Sequence, residues 1–440
     1  MGHGLLRRGV LLGVVVLAVV TCTQPAWAFW RTTGLGSGTA VTATFSAPVV
    51  TVSGTAWSST VHVAWTAATT SGGLAAQSYV VVRVDEADGS TAAACGTSAG
   101  SPTASLACDD PAVPTGTHRY VVTATQQSWT STSTASAAFA TDATAPSIVA
   151  GSVSPVANAN GYQRTAPVTV PLTATDVGPA GVASISYRID GGTVTTVAAA
   201  TTSVSVSGDG TRVVTYAATD AAGNVSVIGS TTVRLDTTAP TVTVAKAGGQ
   251  ADPTNASTAQ LTVTFSEAVT GFTSTDVVLS GVTGATAAVS GTGASYTVAI
   301  SGMTGQGTLS VSVPAAAAVD VADNPNTASG TATVVRDTVA PTVAVSSFTR
   351  SGGNLTVTGT TSEPASVTVT FCRGTGLLFI NLLPPIWGSC TETVVTVSSS
   401  NSWTAPATVS STDAFAYYAR AVPTDAAGNT GSAVVAGPVG

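Results

Sequence analysis

The chain has 440 residues, of which 44% are hydrophobic and only 8% are charged, and its formal net charge is −7. This length exceeds what one hydrophobic core normally holds, so several domains are expected. Lys246 is the sole lysine. Without a basic patch the chain cannot neutralise a phosphate backbone, which argues against nucleic acid as a partner.

The N-terminus predicts a signal peptide over residues 1–28. Arg7 and Arg8 precede an apolar run at residues 10–20, and Ala26-Trp27-Ala28 is an A-x-A-like cleavage site. The run is shorter than the ~20 residues that a membrane-spanning helix requires. We therefore expect export, a secreted or extracellular location with cell-surface attachment as an option, and a mature chain without a transmembrane segment.

Residues 29–42 begin with Phe29 and Trp30 and continue as a Gly/Ser/Thr-rich leader, which predicts a flexible tether. An aromatic pair after a cleavage site, followed by alternating glycines, resembles exported surface and matrix proteins of high-GC Gram-positive (actinobacterial-type) bacteria.

One pentapeptide pattern, Asp-x-x-Ala-Pro, divides the rest of the chain. It occurs at residues 142–146, 236–240 and 337–341, here called the first, second and third joints. Proline fixes its own φ and has no N–H, so a strand that enters each joint must leave its sheet there. The prolines recur about 100 residues apart, the size of one two-sheet sandwich. We predict an all-β fold, a tandem array of four β-sandwiches at residues 43–141, 145–236, 239–337 and 340–440.

The first module alternates apolar and polar residues in at least three strands, each with one buried face. Trp65, Tyr79 and Tyr120 lie on these strands, and their arrangement resembles the core aromatics of fibronectin type III domains. That resemblance implies a spacer or an accessory of carbohydrate-active enzymes.

Three short segments establish an internal repeat. Residues 220–224 and 425–429 both read Asp-Ala-Ala-Gly-Asn, and residues 320–324 are a degraded copy. Flanking strand patterns predict a hairpin at each copy, with glycine supplying the positive φ that such turns need.

The third module carries the most specific sequence pattern. Its segments Leu261-Thr262-Val263-Thr264-Phe265-Ser266-Glu267, Val269-Thr270-Gly271-Phe272, Ala251-Asp252-Pro253-Thr254-Asn255 and Met303-Thr304-Gly305 closely resemble bacterial immunoglobulin-like repeats of large surface adhesins. The second and fourth modules resemble related immunoglobulin-like domains more loosely. The resemblance implies a non-catalytic surface protein.

Cysteine usage agrees with export. Cys95 with Cys108 and Cys372 with Cys390 form two same-module pairs, which we predict to be disulfides in an oxidising compartment. No histidine lies close enough to either pair to favour zinc. Lipidation at Cys22 is an alternative fate for the N-terminus, but the preceding Val-Val-Thr lacks the small residue expected there.

The loop between Cys372 and Cys390 is the most apolar segment after the signal peptide. Such a loop either packs back on its own module or exposes a patch that binds a partner. The residues of this candidate partner-binding loop are Leu377, Leu378, Phe379, Ile380, Leu382, Leu383, Ile386 and Trp387.

The residue pattern argues against an enzyme. The mature chain has two histidines, His62 and His118, both within predicted strands and without a marked nucleophile or orienting carboxylate. Acidic residues that could pair for glycoside cleavage fall in turn-like segments, where we expect solvated loop charges. These are Asp85, Glu86, Asp88, Asp109 and Asp110.

Calcium is the one cofactor that the sequence raises, because Ca²⁺ takes six to eight oxygen ligands and carboxylates recur near the joints. The candidate ligands are Asp176, Asp220 and Asn224 with either Asp142 or Asp236. The Ala-Thr-Asp and Asp-x-x-Ala-Pro motifs around them are partly similar to those of cadherin-like modules. The alternative is that Asp220 and Asn224 only close a turn. Because the fourth module keeps the hairpin but precedes no joint, we expect the turn role in every copy and a cation, if present, at the second module alone.

Two functions follow. The first is a non-catalytic secreted or cell-surface structural, adhesin-like protein whose modules space or present a surface for a cell-surface protein or glycan. The alternative is a carbohydrate-binding accessory protein, suggested by the fibronectin-like module and by Trp57, Trp129, Trp387 and Trp403.

Overall fold

The computed structural model describes residues 43–374, 387–396, 401–412 and 415–440, with side chains between 387 and 396 excepted. The predicted signal peptide, Cys22, the leader and the apolar loop at 376–386 lie outside the described residues, as does the side chain of Trp387. Within the described ranges, no helix has the length and apolar character needed to cross a membrane.

The first sandwich contains two antiparallel sheets, in the orders β1-β2-β5 and β4-β3-β6-β7, with β8 also paired to β6. Trp65 and Tyr79 pack with ring centroids 5.6 Å apart, and Tyr120 is completely buried. The three aromatics predicted to fill this core are therefore confirmed as core residues. The strands are β1 (Val50–Ser53), β2 (Val61–Trp65), β3 (Ser78–Asp85), β4 (Thr91–Ala93), β5 (Ala107–Asp110), β6 (Gly116–Gln126), β7 (Trp129–Thr132) and β8 (Phe139–Thr141).

The second sandwich has sheets in the orders β13-β10-β9 and β12-β11-β14-β15. Strict alternation in β14 buries Val214, Tyr216 and Ala218 and exposes or half-exposes the threonines and alanine between them, as a strand with one core face requires. The strands are β9 (Ser147–Ala150), β10 (Val168–Thr175), β11 (Val182–Ile189), β12 (Thr195–Val197), β13 (Thr201–Val206), β14 (Gly210–Asp220) and β15 (Gly229–Leu235).

The third sandwich has sheets in the orders β16-β17-β19 and β18-β20-β21. Phe265, Phe272 and Tyr296 meet edge to face with centroids 5.1–5.9 Å apart, and each such pair contributes about 0.5–1.5 kcal/mol beyond its buried area. A short 3-10 helix covers Ser274–Asp276. The strands are β16 (Val242–Lys246), β17 (Ala259–Val269), β18 (Val278–Ser280), β19 (Thr286–Ser301), β20 (Gly307–Ser312) and β21 (Ala332–Arg336).

The fourth sandwich has sheets in the orders β22-β23-β26 and β25-β24-β27-β28. Trp403 is only 3% exposed and belongs to its core with Phe371 and Tyr417. The strands are β22 (Val343–Ser351), β23 (Asn354–Thr361), β24 (Ser366–Gly374), β25 (Trp387–Thr396), β26 (Ser402–Thr408), β27 (Tyr417–Thr424) and β28 (Val434–Val439). The chain is thus all-β, and four consecutive two-sheet sandwiches follow one another along it.

The fold divides into two compact units. The first holds the described residues up to Gly151 together with Pro171–Val204 and Val214–Thr231. The second holds Ser152–Val170, Ser205–Val213 and Thr232–Gly440. Three segments of the second sandwich therefore belong to the same unit as the third and fourth sandwiches: the loop before β10 with the start of that strand, the end of β13 with the start of β14, and the end of β15.

Candidate cation sites at the joints

Each joint contributes an aspartate to a group of three carboxylates, and in each group one oxygen from every residue lies within 4.8 Å of the others. Each group combines the first residue of a joint, an acidic residue at or near the end of the second strand of the following sandwich, and the first residue of that sandwich's Asp-x-x-x-Asn hairpin. We call them the first, second and third joint clusters: Asp142, Asp176 and Asp220; Asp236, Glu267 and Asp320; Asp337, Glu363 and Asp425.

The hairpin residues are fixed by their own turn. The Asp220 carboxylate accepts the backbone N–H of Asn224 at 2.8 Å and its Nδ2 at 2.7 Å. Gly223 closes the turn with a φ of 94°. The turn predicted from the repeated segment is therefore present, and the same carboxylate also faces its cluster. The other two copies repeat these bonds through Asp320 with Asn324 and through Asp425 with Asn429.

The joint aspartate is bonded to chain segments on both sides of it. The Asp236 N–H donates to the Gln163 carbonyl at 2.9 Å, and the Asp236 carbonyl accepts Asn324 Nδ2 at 2.9 Å. The Asp236 carboxylate accepts the Thr238 N–H within the joint and also belongs to the second cluster. The same two bonds occur at Asp142 through Trp57 and Asn224, and at Asp337 through Thr254 and Asn429.

The expectation that a hairpin could lie against the joint after it is wrong. Asn224 contacts Asp142, which precedes its sandwich, and Asp236 lies in the second cluster rather than with Asp176 and Asp220. The strands run antiparallel, so the hairpin returns to the end of the sandwich where the chain entered. For the same reason the fourth sandwich does have a joint for its hairpin, at Asp337, and the arrangement occurs three times.

The clusters concentrate negative charge in partly desolvated surroundings. Asp142 and Asp220 are 1% and 2% exposed, and Asp320 is 2% exposed. Asp176 Oδ2 is buried without a hydrogen-bond partner. In the part of the chain that the structure describes, none of these carboxylates forms an ion pair with lysine or arginine. A group of carboxylates with no countercharge among the described residues suits a hard divalent cation.

The pKa values of the glutamates in the second and third clusters are raised by burial and by the neighbouring negative charges. Burial, followed by the charges of Asp320 and Asp236, raises the pKa of Glu267 above its usual range. Burial, followed by Asp337 and Asp425, raises the pKa of Glu363 in the same way. A neighbouring anion disfavours ionisation, and a bound cation would reverse that effect.

The first cluster is built more tightly than the other two. The Ala180 N–H donates to Asp142 Oδ2 at 3.0 Å. A Cβ at Gly178 would lie 2.0 Å from the same oxygen, so only glycine fits against this carboxylate. Sequence reasoning passed over Gly178, and it passed over the glutamates of the other clusters. A Ser-Glu pair at or just after the end of the second strand of each of the last two sandwiches, ending in Glu267 and Glu363, is the signal that could have revealed them.

The remaining predicted residues do not join these sites. His62 Nδ1 lies 2.7 Å from Asp109 Oδ1 in an exposed pair, and His118 is 1% exposed with Nε2 2.9 Å from the Pro114 carbonyl. Cys95 and Cys108 form the predicted disulfide, with Cα atoms 5.8 Å apart. Cys372 is disulfide-bonded and its backbone pairs in register with Cys390, whose side chain lies outside the described set.

Asp110 corrects the expectation of a solvated loop charge. It ends β5 and is 5% exposed, and its carboxylate accepts Arg83 Nη1 at 2.7 Å and the Tyr120 hydroxyl at 2.9 Å. The neutral phenol donates to an anion, and burial together with that bond raises the pKa of Tyr120. Asp110 is therefore part of a buried polar network and not a turn residue.

The tryptophans proposed for sugar stacking are not equivalent. Trp403 is core, whereas Trp57 and Trp129 are half-buried. A shared aromatic face cannot include Trp403, so the observation that motivated the carbohydrate alternative is weakened.

The raised pKa of Glu267 predicts that removal of its charge stabilises the folded protein without calcium and destabilises it with calcium. A carboxyl whose folded pKa exceeds its unfolded value destabilises the folded state progressively as pH rises through the folded pKa. We expect Glu267→Gln to unfold at higher urea concentration than wild type at pH 7 in chelator, with the difference vanishing near pH 4. With calcium the order should invert, because the variant loses a ligand. A variant that is less stable under both conditions would contradict this assignment.

The comparisons with known proteins bear on the third sandwich most directly. Residues 236–335 match the family described as Bacterial Ig-like domain, and this stretch contains the whole second joint cluster. No curated protein sequence matches the chain.

Among solved structures, the chain is similar to the FN1–FN3 domains of chicken CNTN1, with 11% identity, a TM-score of 0.20 and coverage of 89% of this chain and 97% of that one. It is also similar to domains A168–A170 of titin, with 14% identity, a TM-score of 0.30 and coverage of 68% and 99%.

A third likeness is to a structure concerned with host cell-surface retention of a 1.5-MDa bacterial ice-binding adhesin, with 16% identity, a TM-score of 0.24 and coverage of 88% of this chain and 95% of that one. These TM-scores are low. The third sandwich is the part of the chain that matches a described family, the bacterial Ig-like domain.

Proposed function

We propose that this chain is a non-catalytic, exported structural protein of the adhesin-like kind, whose serial β-sandwiches space or present a surface for a cell-surface protein or glycan. The bacterial Ig-like match over residues 236–335 supports the class of module. The observation that carries the proposal is the recurrence of one carboxylate cluster, in one structural context, at all three joints.

We further propose that each cluster binds calcium. Each supplies three carboxylates, and backbone carbonyls and water would complete the six to eight oxygen ligands that Ca²⁺ takes in flexible geometry. Mg²⁺ demands a smaller, near-octahedral shell and dehydrates reluctantly, so we expect calcium to be preferred. The cation would tie the joint aspartate to two carboxylates of the following sandwich and remove their mutual repulsion.

Such a role suits a spacer. A joint bonded only through backbone and amide groups can open locally, whereas a cation that binds only the closed joint lowers the population of open states by mass action. The chain would then change from flexible to fixed joints according to the calcium concentration outside the cell.

Hydrogen exchange tests this function. The amides of Thr144, Thr238 and Val339 each donate to the carboxylate of their own joint aspartate and are matched probes. At a calcium concentration ~100 times Kd, exchange at all three should slow by about 100-fold relative to chelator, and magnesium at the same concentration should have a much smaller effect. Equal exchange with calcium and with chelator would refute the proposal.

A further inference from the structure

The second joint has an additional set of bonds that do not involve the carboxylate cluster. Asn158 Nδ2 donates to the Val321 carbonyl and to Asp323 Oδ2, both at 2.9 Å. Asn160 Nδ2 donates to the Val321 carbonyl and Arg164 Nη1 to the Asp323 carbonyl, both at 3.0 Å. The loop before β10 thereby holds the hairpin tip of the third sandwich, and both segments belong to the same compact unit.

A second set of bonds holds the residues of the same joint. The Asp209 carboxylate accepts the Thr237 N–H at 3.1 Å, the Thr237 hydroxyl at 2.9 Å and the Thr238 hydroxyl at 2.7 Å. The bond from the Thr238 side chain is the largest cause that lowers the pKa of Asp209, so the carboxylate is anionic at neutral pH. Asp209 precedes Gly210, which begins β14 with a φ of 117°.

The third joint has the same geometry with fewer bonds. Gln306 stands before Gly307, which has a φ of 144°, and donates from Nε2 to Asp337 Oδ1 at 2.7 Å. The hairpin of the fourth sandwich accepts one backbone bond, from the Asn255 N–H to the Ala427 carbonyl at 3.2 Å. Within the described residues, no side chain of the third sandwich replaces Asn158, Asn160 or Arg164 there.

We propose that these side chains form a latch, defined as Asn158, Asn160, Arg164 and Asp209, which keeps the second joint ordered without a cation, while the third joint depends on one. Only the second half of this inference rests on the proposed calcium sites. Asn158, Asn160 and Arg164 donate to the hairpin tip. Asp209 accepts from the joint itself. The latch therefore restrains both the tip and the joint without using a carboxylate of the cluster. In chelator the second joint therefore opens less often than the third, although calcium slows exchange at both by the same factor.

The test uses the full-length mature chain in chelator, with hydrogen exchange measured at Thr238 and Val339. In wild type, exchange at Thr238 should be roughly ten-fold slower than at Val339 after correction for intrinsic rates. In Asn158→Ala/Arg164→Ala, and separately in Asp209→Ala, exchange at Thr238 should accelerate toward the rate at Val339, with Val339 unchanged. Arg188→Ala, which removes an exposed arginine of the same sandwich whose Nε donates to Thr215 Oγ1, is the matched control and should change neither probe.

Equal exchange at the two joints in wild-type protein, or unchanged exchange at Thr238 in both latch variants, would overturn the latch. Failure of calcium to slow exchange at Val339 would instead refute the calcium sites and leave the latch standing, because the latch comparison is made entirely in chelator.

Discussion

Replacing Asp110 with alanine should lower the free energy of unfolding of the first sandwich by about 3–5 kcal/mol. Asp110 is the anion that balances Arg83, whose side chain is only 15% exposed. Its other oxygen accepts the Cys95 N–H at 3.0 Å, beside the disulfide. Removing the carboxylate leaves a buried guanidinium, a buried phenol and a backbone donor without their acceptor, and each loss is costly where water does not replace it.

The neighbouring Asp109 provides the control. Its side chain is 66% exposed and pairs with His62, so Asp109→Ala should change the free energy of unfolding by about 0–1 kcal/mol. Urea unfolding followed by tryptophan fluorescence measures both. If Asp110→Ala does not fold, Asp110→Asn, which keeps the shape but loses the charge, should still be less stable than Asp109→Asn. Equal effects at the two positions would contradict the buried network.

Calcium should produce a comparably large effect in the sandwiches that follow the joints. At ~100 times Kd, one bound cation stabilises the folded state by about 2.7 kcal/mol. For a domain of ~100 residues this raises the unfolding midpoint by about 10–20 °C. Scanning calorimetry should show this shift with calcium and its reversal by chelator, with the smallest change in the first sandwich, which contributes no carboxylate to a joint cluster.

Isosteric variants assign the effect to its sites. Asp220→Asn, Asp320→Asn and Asp425→Asn should each abolish the shift in one sandwich, the second, third and fourth respectively, because each removes the carboxylate shared between hairpin and cluster. Asp109→Asn removes an equal charge outside the clusters and should leave every shift intact. A shift that survives all three variants would place calcium elsewhere.

The β-sandwich architecture could be predicted from the sequence because each strand and each joint has a local sequence signal. Alternation in segments such as Val61–Trp65 and Ser78–Asp85 specifies strands with one buried face. The proline that ends each joint lies between the last strand of one sandwich and the first strand of the next. The aromatic core of the first sandwich was predicted from the resemblance of Trp65, Tyr79 and Tyr120 to the core aromatics of fibronectin type III domains, and all three are buried.

The cation sites could be predicted only in part, because they depend on which distant segments of the chain meet in the fold. The Asp-x-x-x-Asn hairpins and the joints were both recognised, but sequence order suggested that a hairpin meets the joint after it, whereas the antiparallel fold returns it to the joint before. Glu267 and Glu363 carry no local signal of their own apart from the serine before each. Asp110 could not be separated from Asp109 without knowing that β5 turns one of them inward.

Calorimetric titration of the metal-free chain with calcium at pH 7 is the most direct test of the proposed sites, because it counts them. The three joint clusters predict three bound ions per chain, and two in any one of Asp220→Asn, Asp320→Asn or Asp425→Asn. The absence of binding at millimolar calcium, or a number of ions that these variants do not reduce, would contradict the account.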